Sequence, residues 1–221
     1  MNARPLMAIS GWEAFMHGVF AIAVTLLVLD IRVPDSASIE SGSALVSALV
    51  KELPRYFAFV IGFLYVGTYW LQTHRVMGWM RGVDHPALIL GLVYLMVISA
   101  VPFVTALLAE YIGLDHGRDQ VGLVVFASWQ LILSILAIAN FRYAAHGGRL
   151  LKPTIPEAGL RTYFRVATLG PVSWIAVIVV AVFVGGAVTL ILMAAVLAIF
   201  LVVEIPVPVA DDAELGRADA G

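Results

Sequence analysis

Residues 15–34 read FMHGVFAIAVTLLVLDIRVP. Between His17 and Asp30 every side chain is apolar except Thr25, and Asp30, Arg32 and Pro34 close the run. A bilayer core takes about 20 apolar residues per helix, so a span over about 10–31 is expected. The segment also places a histidine near its start and a single hydroxyl at its middle. It is therefore either an anchor or a working part of the protein.

The rest of the chain has the same character. Its 221 residues are 62% hydrophobic and 13% charged, with a mean hydropathy of +0.98. Soluble domains are nearer half apolar and a quarter charged, and the excess here runs from end to end. The composition reads as an all-α, multi-span membrane protein. The N-terminus does not read as a removable signal peptide, because its apolar run is too long and no small-residue cleavage pattern precedes Asp30. The chain has no cysteine, which excludes disulfides, thiol catalysis and thiolate metal sites. The net charge is −2, and no basic stretch suggests a nucleic-acid partner.

Five further spans follow. A polar stretch, DSASIESGS, precedes a span at about 55–74 that ends at His74 and Arg75. RGVDHP (81–86) is a turn, punctuated by Gly and Pro, and leads to a span at about 87–109 with Pro102 inside it. After the loop EYIGLDHGRDQ comes a span at about 121–141, then a basic loop from Arg142 to Arg165. From Val166 to Val203 there is no charge. As one helix that run would be roughly 57 Å long, well beyond bilayer thickness. A hairpin at Gly185-Gly186 divides it into spans of about 166–184 and 187–204. Residues 1–209 thus form a six-span transmembrane domain, and 210–221 an acidic, disordered tail.

Six spans place Arg4, Arg75, Arg81, Arg142, Arg149, Lys152, Arg161, Arg165 and Arg217 on one side, and Arg32, Lys51, Arg55 and Arg118 on the other. The basic excess puts both termini in the cytoplasm, with the loop of Arg142–Arg165 contributing most of it.

Polar groups inside a membrane are costly, so those present are informative. The chain has no helical metal-binding pattern, no nucleophile elbow and no phosphate loop. Ser134 and Ser173 have no histidine nearby in sequence. No enzyme activity, catalytic residue, resident metal or cofactor is expected. No span centre holds the paired carboxylates that coupled transport usually needs. In the first span, Ile22, Leu26 and Leu29 fall at i, i+4 and i+7 on one stripe, with Thr25 at its border. On spacing alone this stripe reads first as helix packing, with Thr25 bonded back to its own backbone. The sharper reading is a pore, in which apolar rings exclude water and threonine hydroxyls partly replace an ion's hydration shell.

Beyond spacing, GVFAIAVTLLVLDIRVP (18–34) resembles the first span of the transmembrane protein 175 family, the lysosomal potassium channels and their bacterial relatives. Members read Arg-x-x-x-Phe-Ser-Asp-Gly-Val-Phe-Ala-Ile-Ala, then Thr-Leu-Leu. YWLQTHR (69–75), PFVTALLAEY (102–111) and LGP (169–171) are similar to motifs of the second, third and fifth spans. The resemblance implies a homotetramer of six-span chains in a bilayer. The first helix of each subunit would line a central pore for monovalent cations, the permeant ion being potassium. It assigns Ile22, Leu26 and Leu29 to an apolar constriction and Thr25 to selectivity. Hydroxyls have a weaker field than carbonyl cages, so potassium is expected to be favoured over sodium only modestly. By the same analogy, a single six-span unit suits a bacterial plasma membrane.

The family signature is broken just before the pore segment. Gly11 stands at the Arg position, Met16 at the Ser and His17 at the Asp; only Phe15 of Phe-Ser-Asp remains. The resemblance gives those polar residues a hydrogen-bond network between spans, so Phe15, His17, Trp70 and His74 are expected in interhelical packing. His17 either joins that network, where it can donate or accept one hydrogen bond, or sits at the membrane surface bonded to a loop. A non-conducting relative, a proton-permeable pathway through His17 and a small-solute transporter stand as alternatives.

Overall fold

A computed structural model describes residues 6–112 and 116–202. Nine α-helices account for most of them: α1 (Ile9–Leu26), α2 (Gly42–Lys51), α3 (Leu53–Trp79), α4 (His85–Ser99), α5 (Val101–Tyr111), α6 (His116–Ala145), α7 (Glu157–Ala167), α8 (Leu169–Phe183) and α9 (Gly186–Val202). No strand occurs among the described residues; two isolated backbone bridges, Met7 with Val83 and Met80 with Leu151, are the nearest approach to one. The acidic tail expected at 210–221 lies outside the described residues, as do Arg4 and Arg217.

Among the described residues, four helical segments are long and apolar enough to cross a membrane: Ile9–Asp30, His85–Tyr111, Gly117–Gly148 and Glu157–Phe183. The protein is a multi-pass, all-helical membrane protein. α3 has 27 residues, but its tyrosines, Trp70, Thr68, Gln72 and Thr73 dilute its hydropathy. α9 is apolar but has only 17 residues.

The helices run between two ends. At one end Met7 pairs with Val83 and Met80 with Leu151, so the start of α1, the close of α3 and the segment after α6 meet there. At the other, Arg55 at the start of α3 pairs with Glu52 and with Glu110 of α5, and Arg32 lies 3.8 Å from Glu110. Gln120 Nε2 near the start of α6 donates to the Val182 carbonyl, 3.2 Å away, beside the α8–α9 turn. α6 occupies the middle, packing against α4, α5, α8 and α9.

Proline and glycine locate the breaks. Pro102 has no N–H to give Ile98 and crowds the preceding turn, so the span expected at 87–109 is two helices joined at Ala100. Pro171 lies just past Thr168, where α7 gives way to α8. Gly185 and Gly186 have φ of 67° and 49°, left-handed values that only glycine adopts freely, and they form the expected hairpin. Three segments depart from the expected boundaries. The polar stretch after the first span leads into a helix, α2, whose first turn is capped by the Ser41 hydroxyl accepting from Ala44 N at 3.2 Å. The basic loop folds from Glu157 onward into α7, whose Tyr163 and Phe164 pack on Phe141. α3 also runs past His74 to Trp79, because a polar residue beyond the apolar zone does not prevent a helix from continuing into water.

Three apolar clusters form the core. Tyr65, Phe126 and Trp174 join α3, α6 and α8, with ring centroids 5.1 to 6.4 Å apart, and the Tyr65 hydroxyl donates to the Met193 carbonyl of α9 at 2.6 Å. Met16, Phe20, Ala23 and Leu27 carry α1 into a second cluster with Val66, Tyr69, Tyr94 and Ile98. Met80, Val83, Phe141, Leu150 and Tyr163 make the third. Close approach depends on small residues. A Cβ at Gly62 would sit 2.9 Å from Thr105 Cγ2 and 3.2 Å from Leu27, and one at Gly91 would run into the Trp12 ring.

Asp84 ties one end together. Its side chain is 1% exposed; it caps α4 by accepting from Ala87 N at 3.0 Å and accepts from Tyr143 Oη at 2.9 Å and from Arg149. Burial alone would push its carboxyl up, but the Ala87 N–H, the Tyr143 hydroxyl and the Arg149 guanidinium together hold it below the ordinary carboxylate value. A carboxyl lowered by folding stabilises at pH values above its unfolded pKa, and that contribution is lost as pH falls through the folded value. Asp84→Asn should therefore cost about 1–3 kcal/mol near pH 7, with the gap from wild type closing below about pH 4. Thermal unfolding in detergent across that range measures it. Gly91→Ala should lower stability by about 1–3 kcal/mol through overpacking against Trp12. Gly78→Ala, where a Cβ meets nothing within 4 Å, should not lower it.

Candidate functional site

α1 is apolar on two opposite faces. Met16, Phe20, Ala23 and Leu27 are at most 2% exposed and recur at i, i+4, i+7 and i+11, which places them on one side of a helix. Phe15, Ile22, Leu26 and Leu29 are 51%, 61%, 42% and 74% exposed and form the other side, together with Gly18 and Thr25. The chain thus brings Ile22, Thr25, Leu26 and Leu29 onto one face, and that face touches nothing in its own subunit that would cover it. The α-helical bonding ends at Leu26, and Leu27–Asp30 form a tighter 3₁₀ turn, so Leu29 is set by 3₁₀ rather than α geometry. The Thr25 hydroxyl donates to the Ile22 carbonyl at 2.9 Å, the local back-bond that its position in a helix favours.

Before Ile22, toward the start of α1, lies a polar group. His17 and Trp70 have ring centroids 5.9 Å apart, and His17 and His74 5.5 Å. Trp70 and His74 stack at 5.5 Å with an interplanar angle of 10°. The structure therefore joins three of the four residues expected in interhelical packing. Phe15 is not with them; it turns toward Trp12, 5.8 Å away, on the uncovered face. The Trp70–His74 pair lies at the surface of the subunit rather than buried at the end of a span, Trp70 being 36% exposed and the His74 side chain 53%. Glu13 completes the group, with its Oε1 3.4 Å from His74 Nδ1. Sequence reasoning passed over Glu13, although its spacing of four from His17 on one helix was the signal that could have found it. His17 Nε2 is buried without a hydrogen-bond partner, so no bond from that nitrogen to a loop occurs here.

The hydroxyls weighed for hydrolysis lack a base. Ser134 and Ser173 line a cavity of about 350 Å³ between α3, α6, α7, α8 and α9, and none of its lining residues is His, Asp or Glu. Both hydroxyls donate to their own helix, to the Leu131 and Leu169 carbonyls at 2.8 and 2.6 Å.

Comparison with known proteins places this arrangement. The family described as endosomal/lysosomal potassium channel TMEM175 matches residues 12–102, which contain most of α1, the Trp70–His74 pair and the first helix of the kinked span. A potassium channel of Streptomyces collinus is 37% identical over 161 residues, 72% of this chain and 76% of that protein. A potassium channel of Chamaesiphon minutus is 40% identical over 139 residues, 63% of this chain and 67% of that one. The crystal structure of a lysosomal potassium-selective channel TMEM175 homolog from Chamaesiphon minutus superposes with a TM-score of 0.74 at 30% identity, over 86% of this chain and 94% of that one. With this sequence identity, this coverage and this shared helical arrangement, the chain belongs to the TMEM175 family.

Proposed function

We propose that this protein is a potassium-permeable cation channel. Four copies surround a central pore lined by α1 of each, in a bacterial plasma membrane with both termini cytoplasmic. The observation that carries the reading is the second apolar face of α1. A helix that already buries one face in its own subunit has no packing use there for Ile22, Leu26 and Leu29. Membership in a channel family gives that face a use around an axis between copies. α3 and α9 complete six spans with α1, α4–α5, α6 and α8. The meeting of Met7, Val83 and Leu151 at one end supports the alternation that six spans require.

Rings of Ile22, Leu26 and Leu29 side chains make a narrow apolar constriction that resists ions by excluding water, and opening widens or wets it. Thr25 contributes in a specific way. Its proton is engaged by the Ile22 carbonyl, which leaves the oxygen lone pairs as its free polar function. A ring of such oxygens offers acceptors to a partly dehydrated cation. Selectivity is modest because neutral hydroxyls bind weakly. No resident cofactor is required.

Purified full-length protein in liposomes should pass potassium down its gradient, and its mass in detergent should correspond to four chains. Ile22→Ala and Leu26→Ala should each raise the flux several-fold by widening the constriction. If wild type is silent and neither variant opens a pathway, the pore assignment fails. Thr25→Ala should lower the potassium-to-sodium permeability ratio; an unchanged reversal potential in a bi-ionic gradient removes Thr25 from the selectivity role.

A further inference from the structure

We propose that Glu13, His17 and His74 form a binding site for a divalent first-row transition ion of the zinc class, one per chain, at the end of the pore helix. The proposal stands on the ligand geometry of a single subunit and needs no assumption about conduction.

Three potential ligand atoms, one from each residue, lie within 4.8 Å of one another. Glu13 Oε1 and His74 Nδ1 are 3.4 Å apart. Two ligands each about 2.0–2.1 Å from a tetrahedral ion are roughly 3.3–3.4 Å apart, so this pair already has the separation that zinc imposes. His17 closes the remaining distance by side-chain rotation, since it shares a face of α1 with Glu13, one turn away.

A second observation points to a ligand independently. His17 Nε2 is buried and accepts or donates no hydrogen bond. An imidazole nitrogen held from water without a partner is unfavourable by the desolvation of that atom, and coordination to an ion is a bond that this lone pair can make. The other groups in contact favour a defined ligand set. Trp70 stacks on His74 and fixes the plane in which Nδ1 points at Glu13. The two imidazoles and one carboxylate suit zinc, nickel or cobalt and not magnesium, which takes oxygen ligands and keeps its waters. The carboxylate supplies one negative charge, and a water from the exposed side of His74 completes four-coordination. Because Glu13 and His17 belong to α1 and His74 to α3, a bound ion ties the pore helix to its neighbour.

Full-length protein in detergent, stripped with a chelator, should bind about one zinc ion per chain in calorimetric titration. Zinc should also raise its thermal midpoint. His17→Asn and His74→Gln should each weaken binding about tenfold to a hundredfold and abolish the thermal shift. Glu13→Gln, which keeps side-chain volume, should weaken it similarly. His85→Asn and His146→Asn should leave affinity and stoichiometry as in wild type. Magnesium in excess should not displace zinc. The proposal is overturned if wild type binds no zinc, or if binding survives unchanged in folded Glu13→Gln and His17→Asn proteins. Loss on His85→Asn or His146→Asn, with the other variants unaffected, would overturn it too. None of these readouts involves potassium flux, so failure here leaves the channel reading to its own test.

Discussion

Everything distinctive about this protein depends on a helix with two apolar faces. In water such a helix would have to be buried all round. In a bilayer the constraint is different, because lipid accepts an apolar face without cost, and a helix gains by packing only where shapes fit. α1 and the 3₁₀ turn after it use Met16, Phe20, Ala23 and Leu27 for that fit, against partners in α3 and α4, Val101 of α5 and Leu133 of α6. Its other face, from Phe15 to Leu29, is left uncovered by its own subunit.

The two ends of the bundle hold α1 in different ways. At the end where α3 begins, Arg55 is paired with Glu52 and Glu110, so charges near the membrane boundary are neutralised in place. At the other end the backbone bridges of Met7 and Leu151 and the buried Asp84 join the start of α1, the α3–α4 turn and the basic segment after α6. Between these ends the approach of α1 to its neighbours is set by glycines, Gly62 beside Leu27 and Gly91 beside Trp12. The polar group of Glu13, His17 and His74 lies at the junction between the tied end and the uncovered face. Whatever binds there acts on the helix that carries Ile22, Thr25, Leu26 and Leu29.

Much of this was legible in the order of residues. The helical class, the break near Pro102 and the turn at Gly185-Gly186 follow from hydropathy and from two residue types with restricted or unusual backbone freedom. The stripe of Ile22, Leu26 and Leu29 followed from helical period alone. α2 and α7 were less legible, because α2 follows a polar stretch and is too short to span, and α7 lies in a basic segment that reads as a loop, while a Ser41 cap and the packing of Tyr163 and Phe164 on Phe141 decide for helix. Glu13 was hidden for another reason. A lone acid near the start of an apolar helix has no meaning until a residue from a distant segment is set beside it.

The sequence by itself determined that the chain is helical, that it lives in a membrane, that its first helix carries a regular apolar stripe and that this helix resembles those of a channel family. These are local properties, set by side-chain transfer energies and a period of 3.6 residues. Only the tertiary structure decided which face of α1 its own subunit covers, since both faces are apolar and periodicity cannot rank them. It also decided that His17 meets His74 and Glu13 at the tied end, because the meeting depends on how closely two helices, distant in sequence, pack across small residues.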